Sequence, residues 1–334
     1  MSQGSPSLGI IVNPMSGRDV RRVMARASTS AHQEKQQQVA RLIVSALQHG
    51  VDRIFLGNEP FRIGARASEN LAERDRVRLL DYPLTHTARD TETMAQMMWD
   101  EGCRTFIVLG GDGTSRIVAR KFPDAILLPL STGTNNVFPF REEATIAGAA
   151  AALVASGRLA FDDACIRCKR ILIDSPVDPE ISDIALIDAV VLHQDVMGSF
   201  MPFEGSQLGT LILTRAEPGS VGMSPIGGYL EASTHLDNWG MLVECDASAA
   251  DRLPVPLSPG LWQDVGIKDY KRLPLGMPVA LGSSGILAFD GDRSYDLAKV
   301  SPLTARVERD GPWIIDPQHI MRLAMKDQML LVRT

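Results

Sequence analysis

The sequence predicts an α/β N-terminal domain, a mainly parallel sheet with helices on both faces, followed by a β-rich C-terminal domain resembling an antiparallel sandwich or barrel. Two observations predict this fold class. Before Gly157, apolar runs of strand length alternate with segments of helical periodicity, as in parallel sheets. Beyond Gly157, short strands are separated by frequent Gly and Pro. With 334 residues, 45% of them hydrophobic, the chain is long enough to bury two cores.

The first half alternates strands and helices. Val39, Leu42 and Ile43 share one face at helical spacing, and Gly50 follows as a helix stop. Strands are predicted at Leu8–Val12, Arg53–Leu56, Val77–Tyr82, Thr105–Leu109 and Ala125–Leu130. Helices are predicted at Gln33–His49, Phe61–Arg74, Asp90–Glu101 and Glu143–Ser156.

The second half consists mostly of predicted strands. They are Arg170–Asp174, Ile184–Leu192, Thr210–Thr214, Gly240–Cys245, Ile286–Phe289 and Leu303–Glu308. Asp316-Pro317 is a typical N-cap and first-turn pair, so a helix is predicted over Gln318–Lys326. A closing strand is predicted at Met329–Val332, and we expect this tail to return to the first domain.

Composition excludes several classes of function. The net charge is −6, basic residues are scattered and aromatic residues make up 5%, which argues against nucleic-acid binding. No apolar run approaches the roughly 20 residues of a membrane span, and the N-terminus lacks the pattern of a secretory signal. Four cysteines in a chain of this size indicate a reducing compartment, so we expect a cytoplasmic protein without a membrane partner. Cys165 and Cys168 lack further zinc ligands in the sequence and are interpreted as inert thiols on a strand.

The most informative segment, Gly110-Gly111-Asp112-Gly113-Thr114, follows the fourth predicted strand. A turn with so little side-chain bulk lets backbone N–H groups approach a ligand, and a helix start suits phosphate. Asp112 could hold Mg²⁺ or take a proton from a hydroxyl, which indicates phosphoryl transfer. The alternative is an ordinary turn before a helix capped by Thr114.

Two further loops follow predicted strands of the same sheet. Asn13-Pro14-Met15-Ser16-Gly17 comes after the first strand, and Ser131-Thr132-Gly133-Thr134-Asn135-Asn136 comes after the fifth. Because ligands of parallel sheets bind at the carboxyl ends of the strands, these loops are expected at one site. Their hydroxyl and amide groups suit a polyphosphate or a sugar, and the alternative is that both loops bind nothing.

Two segments of the second half have open interpretations. Asp290-Gly291-Asp292 is either a hairpin turn or a carboxylate pair delivered across a cleft between the domains. The glycine-rich Gly219–Gly228 is a mobile loop, a site for an extended substrate or a surface loop. Neither a P-loop nor a Rossmann glycine motif is present, and no set of metal ligands can be assigned.

Four segments in sequence order resemble the superfamily of NAD kinases and diacylglycerol or sphingosine kinases. Gly110–Thr114 matches the signature pentapeptide of the superfamily. Asn13–Gly17 is similar to the Asn-Pro-x-Ser-Gly opening of the lipid-kinase branch, and Pro129–Phe138 to its Pro-x-Gly-Thr-x-Asn-x-Phe segment. Asp290–Asp292 resembles the Asp-Gly-Glu of that branch, with a side chain one methylene shorter.

A closer resemblance is to the acetoin-catabolism X proteins, an NAD-kinase-like subgroup, through Ser131–Pro139 and Gly222–Gly228. In NAD kinases an Asn-x-Gly-x-Leu-Gly-Phe segment usually follows the signature, and Thr134-Asn135-Asn136 replaces it here. An amphipathic basic segment for a membrane surface is absent, which counts against a lipid acceptor.

The resemblance implies a Mg²⁺-dependent kinase with ATP or polyphosphate as donor and the acceptor between the domains. The 2′-hydroxyl of NAD is the leading acceptor. A sugar, polyol, acetoin-related alcohol or lipid acceptor stays open, as does a regulator that senses NAD or ATP without chemistry. A homodimer or tetramer is also implied.

The resemblance assigns roles to individual residues. Asp112 is the first choice as general base or metal-linked carboxylate, and Asp292 is the second. The phosphates would bind Asn13, Ser16, Gly17, Gly110, Gly111, Gly113 and Thr114. The acceptor or nucleotide would bind Thr132, Gly133, Thr134, Asn135, Asn136 and Asp290. We expect a nucleotide-binding domain at residues 1–142, an acceptor domain with a connecting helix at 143–315, and a C-terminal helix and strand at 316–334.

Overall fold

The first sheet is mainly parallel, as predicted. The computed structural model describes residues 5–18, 31–132, 136–199, 203–300 and 302–331, and element numbers refer to these residues. The strands of the sheet are β1 (Ser7–Val12), β2 (Arg53–Gly57), β3 (Val77–Leu80), β4 (Thr105–Gly110), β5 (Ile126–Ser131), β6 (Cys165–Arg167) and β18 (Trp313–Ile315). Their order is β3-β2-β1-β4-β5-β18-β6, and only the β18–β6 pair is antiparallel.

Helices cover both faces of this sheet. They are α1 (His32–Gln48), α2 (Ile63–Ser68), α3 (Ala88–Asp100), α4 (Asp112–Lys121), α5 (Ala144–Ala155) and α6 (Phe161–Ala164). Helices α1 and α5 pack in one apolar cluster, whereas α3 and α4 pack in the cluster on the opposite face. Gly148 of α5 lets the two helices approach closely, since a Cβ there would lie 2.7 Å from the Leu42 carbonyl oxygen. In the described residues, the helices are too short or too polar to cross a membrane.

The second half forms two antiparallel sheets. Its strands are β7 (Arg170–Asp174), β8 (Ser182–Ala185), β9 (Asp188–Leu192), β10 (Leu208–Leu213), β11 (Trp239–Cys245), β12 (Asp251–Ser258), β13 (Leu261–Pro274), β14 (Val279–Ala280), β15 (Ile286–Phe289), β16 (Asp292–Asp296) and β17 (Thr304–Glu308). One sheet has the order β12-β13-β11-β10-β9-β15-β16, and the other β14-β17-β7-β8. Residues of both sheets share one apolar cluster, so they form the predicted sandwich.

The C-terminal tail returns to the first domain, as predicted. Strand β18 joins the first sheet, and helix α9 (Pro317–Lys326) follows it. Ile320 and Ala324 of α9 lie in the same apolar cluster as α1 and α5. The Asp316 side chain accepts from the N–H groups of Gln318 and His319, which confirms the predicted N-cap. Two short α-helices, α7 (Ser224–Leu230) and α8 (Leu297–Val300), and two 3-10 helices, Arg74–Arg76 and Gly205–Gln207, complete the described elements.

Three predicted elements differ in the structure. The helix predicted at Phe61–Arg74 is limited to Ile63–Ser68, because the Glu59 carboxylate binds the N–H groups of Phe61 and Ile63 and Arg62 is left-handed at the helix start. The strand predicted at Ile184–Leu192 divides into β8 and β9. The closing strand is not found, since residues 327–330 form turns; residues 332–334 lie outside the described part.

All four thiols are free and buried. Burial raises the pKa of Cys165 and of Cys168 to about 12. Thiols with so high a pKa are poor nucleophiles, which agrees with their interpretation as inert core groups.

Candidate functional site

A cavity of about 680 Å³ lies at the carboxyl edge of the first sheet, between it and the sandwich. We call it the cleft cavity. The first domain lines it with the loops after β1 and β4 and with Asn136. The sandwich contributes Asp188, Phe203 and the turn Asp290–Asp292. Segments far apart in the sequence therefore line one cavity, as the position of the loops at the carboxyl ends of parallel strands predicts.

Asn13 joins the loop after β1 to the Gly-Asp-Gly loop. Its Nδ2 donates to Thr114 Oγ1 at 2.9 Å, and its backbone N–H donates to the Leu109 carbonyl. Its Oδ1 accepts from the N–H groups of Met15 (2.9 Å) and Ser16 (3.1 Å). The Asn13 side chain thus organises the loop after β1, while its backbone N–H adds one hydrogen bond to the pairing of β1 with β4.

The loop after β5 reaches the same network. Thr132 Oγ1 donates to Ser16 Oγ at 2.9 Å, and Asn136 Nδ2 donates to Ser131 Oγ at 3.1 Å. The predicted site residues Gly133, Thr134 and Asn135 lie outside the described residues. Three loops from three neighbouring strands are therefore connected by side-chain hydrogen bonds.

The Gly-Asp-Gly loop leads directly into a helix. Helix α4 begins at Asp112 with Gly111 as N-cap, so the cap is not Thr114, which lies inside the first turn. A Cβ at Gly111 would lie 2.8 Å from Asn136 Oδ1, and one at Gly113 would lie 3.4 Å from Asp292 Oδ2. Gly111 therefore permits the close approach of Asn136, whereas a Cβ at Gly113 would make an ordinary contact with Asp292.

Gly110→Ala is expected to destabilise the protein by about 1–3 kcal/mol, because overpacking forces neighbouring atoms apart. The new Cβ would lie 2.6 Å from Thr114 Oγ1, the atom that receives the Asn13 hydrogen bond. The measurement is urea unfolding, with Gly219→Ala as control. A Cβ at Gly219 meets no atom within 4 Å, so its effect should stay within about 0.5 kcal/mol. Equal effects of the two substitutions would contradict this account.

Asp112 is a buried carboxyl in the wall of the cleft cavity. Its Oδ2 accepts from Val137 N (3.2 Å) and its Oδ1 from Phe138 N (3.1 Å). Burial, followed by the nearby Asp290 carboxyl, raises the pKa of Asp112 to about 7. Since a carboxylate has about four lone-pair sites, its oxygens retain capacity for a further proton.

Asp290 stabilises the bend between β8 and β9 at the wall of the cleft cavity. Its carboxylate accepts from Leu186 N (2.7 Å) and Ile187 N (2.8 Å). These N–H groups are thereby withdrawn from a strand ladder, which explains why the apolar run from Ile184 divides into two strands. Asp290 has a left-handed φ of 49°, as in a tight turn, and burial raises the pKa of its carboxyl.

Asp188 completes a group of three buried carboxyls and was missed by sequence reasoning. It lines the cleft cavity, and burial and the Asp290 and Asp112 carboxyls raise its pKa well above the usual range. Within the sequence, a single carboxylate inside the apolar run Ile184–Leu192 was the available signal. The three carboxyls disfavour one another's ionisation.

Asp292 is the exposed carboxylate of the site. Its side chain is 60% exposed, and its Oδ2 lies 3.7 Å from Arg116 Nη1. Arg116 of α4 also donates to Asp183 Oδ2 (3.0 Å) and to the Ile184 carbonyl (2.7 Å). Its guanidinium carbon lies 4.2 Å from the centre of the Phe289 ring. Arg116, also missed by sequence reasoning, thus ties the helix after the Gly-Asp-Gly loop to the sandwich.

An apolar wall, formed by the second half of the chain, lines the same cavity as these carboxyls. Phe203, Val221, Met223 and Leu257 line the cleft cavity. The segment Gly219–Gly228 is therefore partly a cavity wall, and from Ser224 it continues as the buried helix α7. Of its three interpretations, the plain surface loop is the one that the structure contradicts.

The carboxylates that line the cleft cavity determine where it could bind a metal ion. Among the described residues, no group of three or more His, Cys, Asp or Glu side chains could hold a metal ion alone. Mg²⁺ commonly binds one or two carboxylates together with substrate phosphates. Asp112, Asp188 and Asp290 are buried, whereas the carboxylate of Asp292 beside Gly113 is exposed, so Asp292 is a fitting ligand.

Comparisons with known proteins divide the chain in two. Residues 8–159 match the ATP-NAD kinase N-terminal domain, and residues 169–310 match the acetoin catabolism protein X C-terminal domain. The acetoin catabolism protein X of Cupriavidus necator is 34% identical over 98% of this chain and 95% of its own.

The solved structures that resemble this chain share less sequence identity with it. Yeast NADH kinase complexed with NADH aligns with a TM-score of 0.50 at 14% identity, over 100% of this chain and 90% of its own. This likeness shows a shared fold. A diacylglycerol kinase from Bacillus anthracis aligns with a TM-score of 0.45 at 10% identity, over 94% of this chain and 98% of its own.

Proposed function

The chain belongs to the family of the acetoin catabolism protein X, with an NAD kinase-like N-terminal domain, and from that premise we propose that it is a Mg²⁺-dependent kinase. It transfers the γ-phosphoryl group of ATP to a hydroxyl, and the 2′-hydroxyl of NAD is the leading acceptor. The reaction takes place in the cleft cavity.

One observation carries the proposal. The Asn13, Gly110–Thr114 and Thr132 loops meet through hydrogen bonds beside the cleft cavity, and the wall of that cavity contains three buried carboxyls, those of Asp112, Asp188 and Asp290. Backbone N–H groups at a helix start suit phosphate, and carboxyls suit a hydroxyl that must lose a proton. Such an arrangement serves positioning and charge neutralisation, which dominate phosphoryl transfer.

Asp112 is proposed as the general base. It takes the proton of the acceptor hydroxyl while the acceptor oxygen bonds to the γ-phosphorus and the bond to the β,γ-bridging oxygen of ATP breaks. A carboxyl whose pKa is raised to about 7 is matched to this task near neutral pH. Burial, followed by the nearby Asp290 carboxyl, maintains that raised pKa.

The remaining residues bind and orient the substrates. Asn13, Ser16, Gly17 and the backbone of Gly110–Thr114 hold the phosphates, and Thr132 and Asn136 orient the nucleotide or the acceptor. Asp292 would hold Mg²⁺, which when bound neutralises phosphate charge. We propose the division at residue 142 as the limit of the nucleotide-binding part and a cytoplasmic location, as the sequence predicts, and a homo-oligomer, as the family resemblance implies.

The test is incubation with Mg²⁺-ATP and NAD, with NADP measured by a coupled dehydrogenase. NADP formation that depends on protein and Mg²⁺ is expected. ATP binding without NADP would instead favour another hydroxyl acceptor. The apolar wall of Phe203, Val221, Met223 and Leu257 favours one with an apolar part, which a panel of alcohols and polyols would identify. Binding without transfer to any acceptor would indicate a sensor.

A further inference from the structure

A lysine outside the motifs lies directly behind the loop after β1. Lys35, in the first turn of α1, has an exposed fraction of 0%. Its Nζ donates to the carbonyl oxygens of Asn13 (2.9 Å), Pro14 (3.0 Å) and Ser16 (2.6 Å). A buried ammonium group is costly unless it is hydrogen-bonded, and these three carbonyls match its three donors.

The segment that Lys35 holds is the one that connects the three loops. Asn13 binds Thr114 through its side chain, and Ser16 receives the hydroxyl of Thr132. Because peptide groups are trans, the N–H of Gly17 points away from the Ser16 carbonyl that faces Lys35. Gly17, with a left-handed φ of 77°, lines the cleft cavity.

We propose that Lys35 is a positioning residue that fixes the Asn13–Gly17 loop, so that the three loops present their donors to a triphosphate as one preorganised array. Its positive charge behind the loop also favours an anion in front of it. The identity of the ligand rests on the proposed function, whereas the ordering of the loop does not.

The chain offers a matched control. Lys169 is also buried, with an exposed fraction of 3%, and its Nζ donates to the carbonyls of Trp239 (2.6 Å) and Thr234 (3.2 Å). It is not among the residues that line the cleft cavity. Lys169→Met therefore removes a buried lysine with carbonyl partners at a distant place, while Lys35→Met removes the one behind the loop.

Binding of Mg²⁺-ATP and of inorganic triphosphate is measured by calorimetry. We expect Lys35→Met to weaken both by about tenfold or more, because the loop must be ordered on binding, and Lys169→Met to leave both unchanged. Lys35→Arg keeps the charge, but its planar fork cannot reach three converging carbonyls, so an intermediate loss is expected. If Lys35→Met fails to fold, Lys35→Arg decides.

Hydrogen exchange supplies a readout without ligand. The amides of Met15 and Ser16, which bind Asn13 Oδ1, should exchange faster in both Lys35 variants and normally in Lys169→Met. Unchanged exchange in the Lys35 variants, or equal changes in the Lys169 variant, would overturn the positioning role. Wild-type protein that binds neither probe would overturn the proposed function, while the exchange result would still decide the role of Lys35.

Discussion

Asp112→Asn is expected to lower turnover by about 10²–10⁴-fold, the usual contribution of a general base. The amide cannot take the hydroxyl proton, yet it is nearly the same size and can still accept from one of the N–H groups of Val137 and Phe138. Substrate affinity should change far less than turnover. The measurement is steady-state kinetics with the acceptor that the assay identifies.

The pH profile separates Asp112 from other candidates. Because burial raises its pKa to about 7, the kcat/KM of the wild-type protein should fall tenfold per pH unit below about pH 7 and level off above it. The residual rate of Asp112→Asn should lack that inflection. Asp292→Asn is the comparison variant: a greater loss of turnover there, with near-normal turnover in Asp112→Asn, would move the base to Asp292.

The same carboxyl links stability to pH. Its pKa in the folded protein lies above the ordinary value of 3.8, so its stabilising contribution is fully present below about pH 4 and is lost as the pH rises through about 7. The difference corresponds to on the order of 4 kcal/mol. The Tm of the wild-type protein should therefore fall more steeply than that of Asp112→Asn as the pH rises from about 5 to 8. Parallel curves would contradict this linkage.

Arg116→Met is expected to destabilise the protein by about 3–5 kcal/mol, because it leaves a buried charge without its main partner. The side chain of Asp183 is only 7% exposed and would retain Arg120 at 3.7 Å. The stacking of the guanidinium on Phe289 is lost as well. Urea unfolding measures the change, and the slope m should stay constant if both states keep their exposed surface.

Arg306→Met is the matched control. Arg306 lies 2.6 Å from the Asp174 carboxylate, but both side chains are 34% exposed. Exposed ion pairs contribute about 0–1 kcal/mol, so this substitution should have a small effect although its distance is shorter. A loss for Arg116→Met as small as that for Arg306→Met would mean that Arg116 does not hold the two domains together.

The loops at the carboxyl edge of the first sheet were predictable because the sequence pattern that indicates them is local. Strands such as Thr105–Gly110 are continuous apolar runs, and the loops after them carry glycine and small polar residues. The carboxyl ends of parallel strands share one edge, so the meeting of the Asn13 and Gly110–Thr114 loops followed from topology alone. Their roles in binding stay predictions.

Other parts depend on contacts that no local pattern reveals. Strand β12 contains Pro254 and Pro256, which usually indicate a break, yet β12 lies at the edge of its sheet, where proline is tolerated. Arg116 reads as a surface residue of a helix, and its partners Asp183 and Asp292 come from distant strands. Lys35 likewise looks like a solvent-facing residue of α1, yet it is fully buried and donates to carbonyls of the loop after β1.

Strand β18 has a consequence for how the chain is made. It lies between β5 and β6, so β6 cannot join the other five strands of the first sheet until residues 313–315 have been synthesised. The sandwich, whose strands all precede β18, is complete earlier on the ribosome. Because pairing between distant segments is slow, the final insertion of this strand is expected to limit the rate of folding. Until β18 inserts, β5 is an exposed edge strand. A nascent chain can pair there with the wrong strand, and a chaperone would bind there.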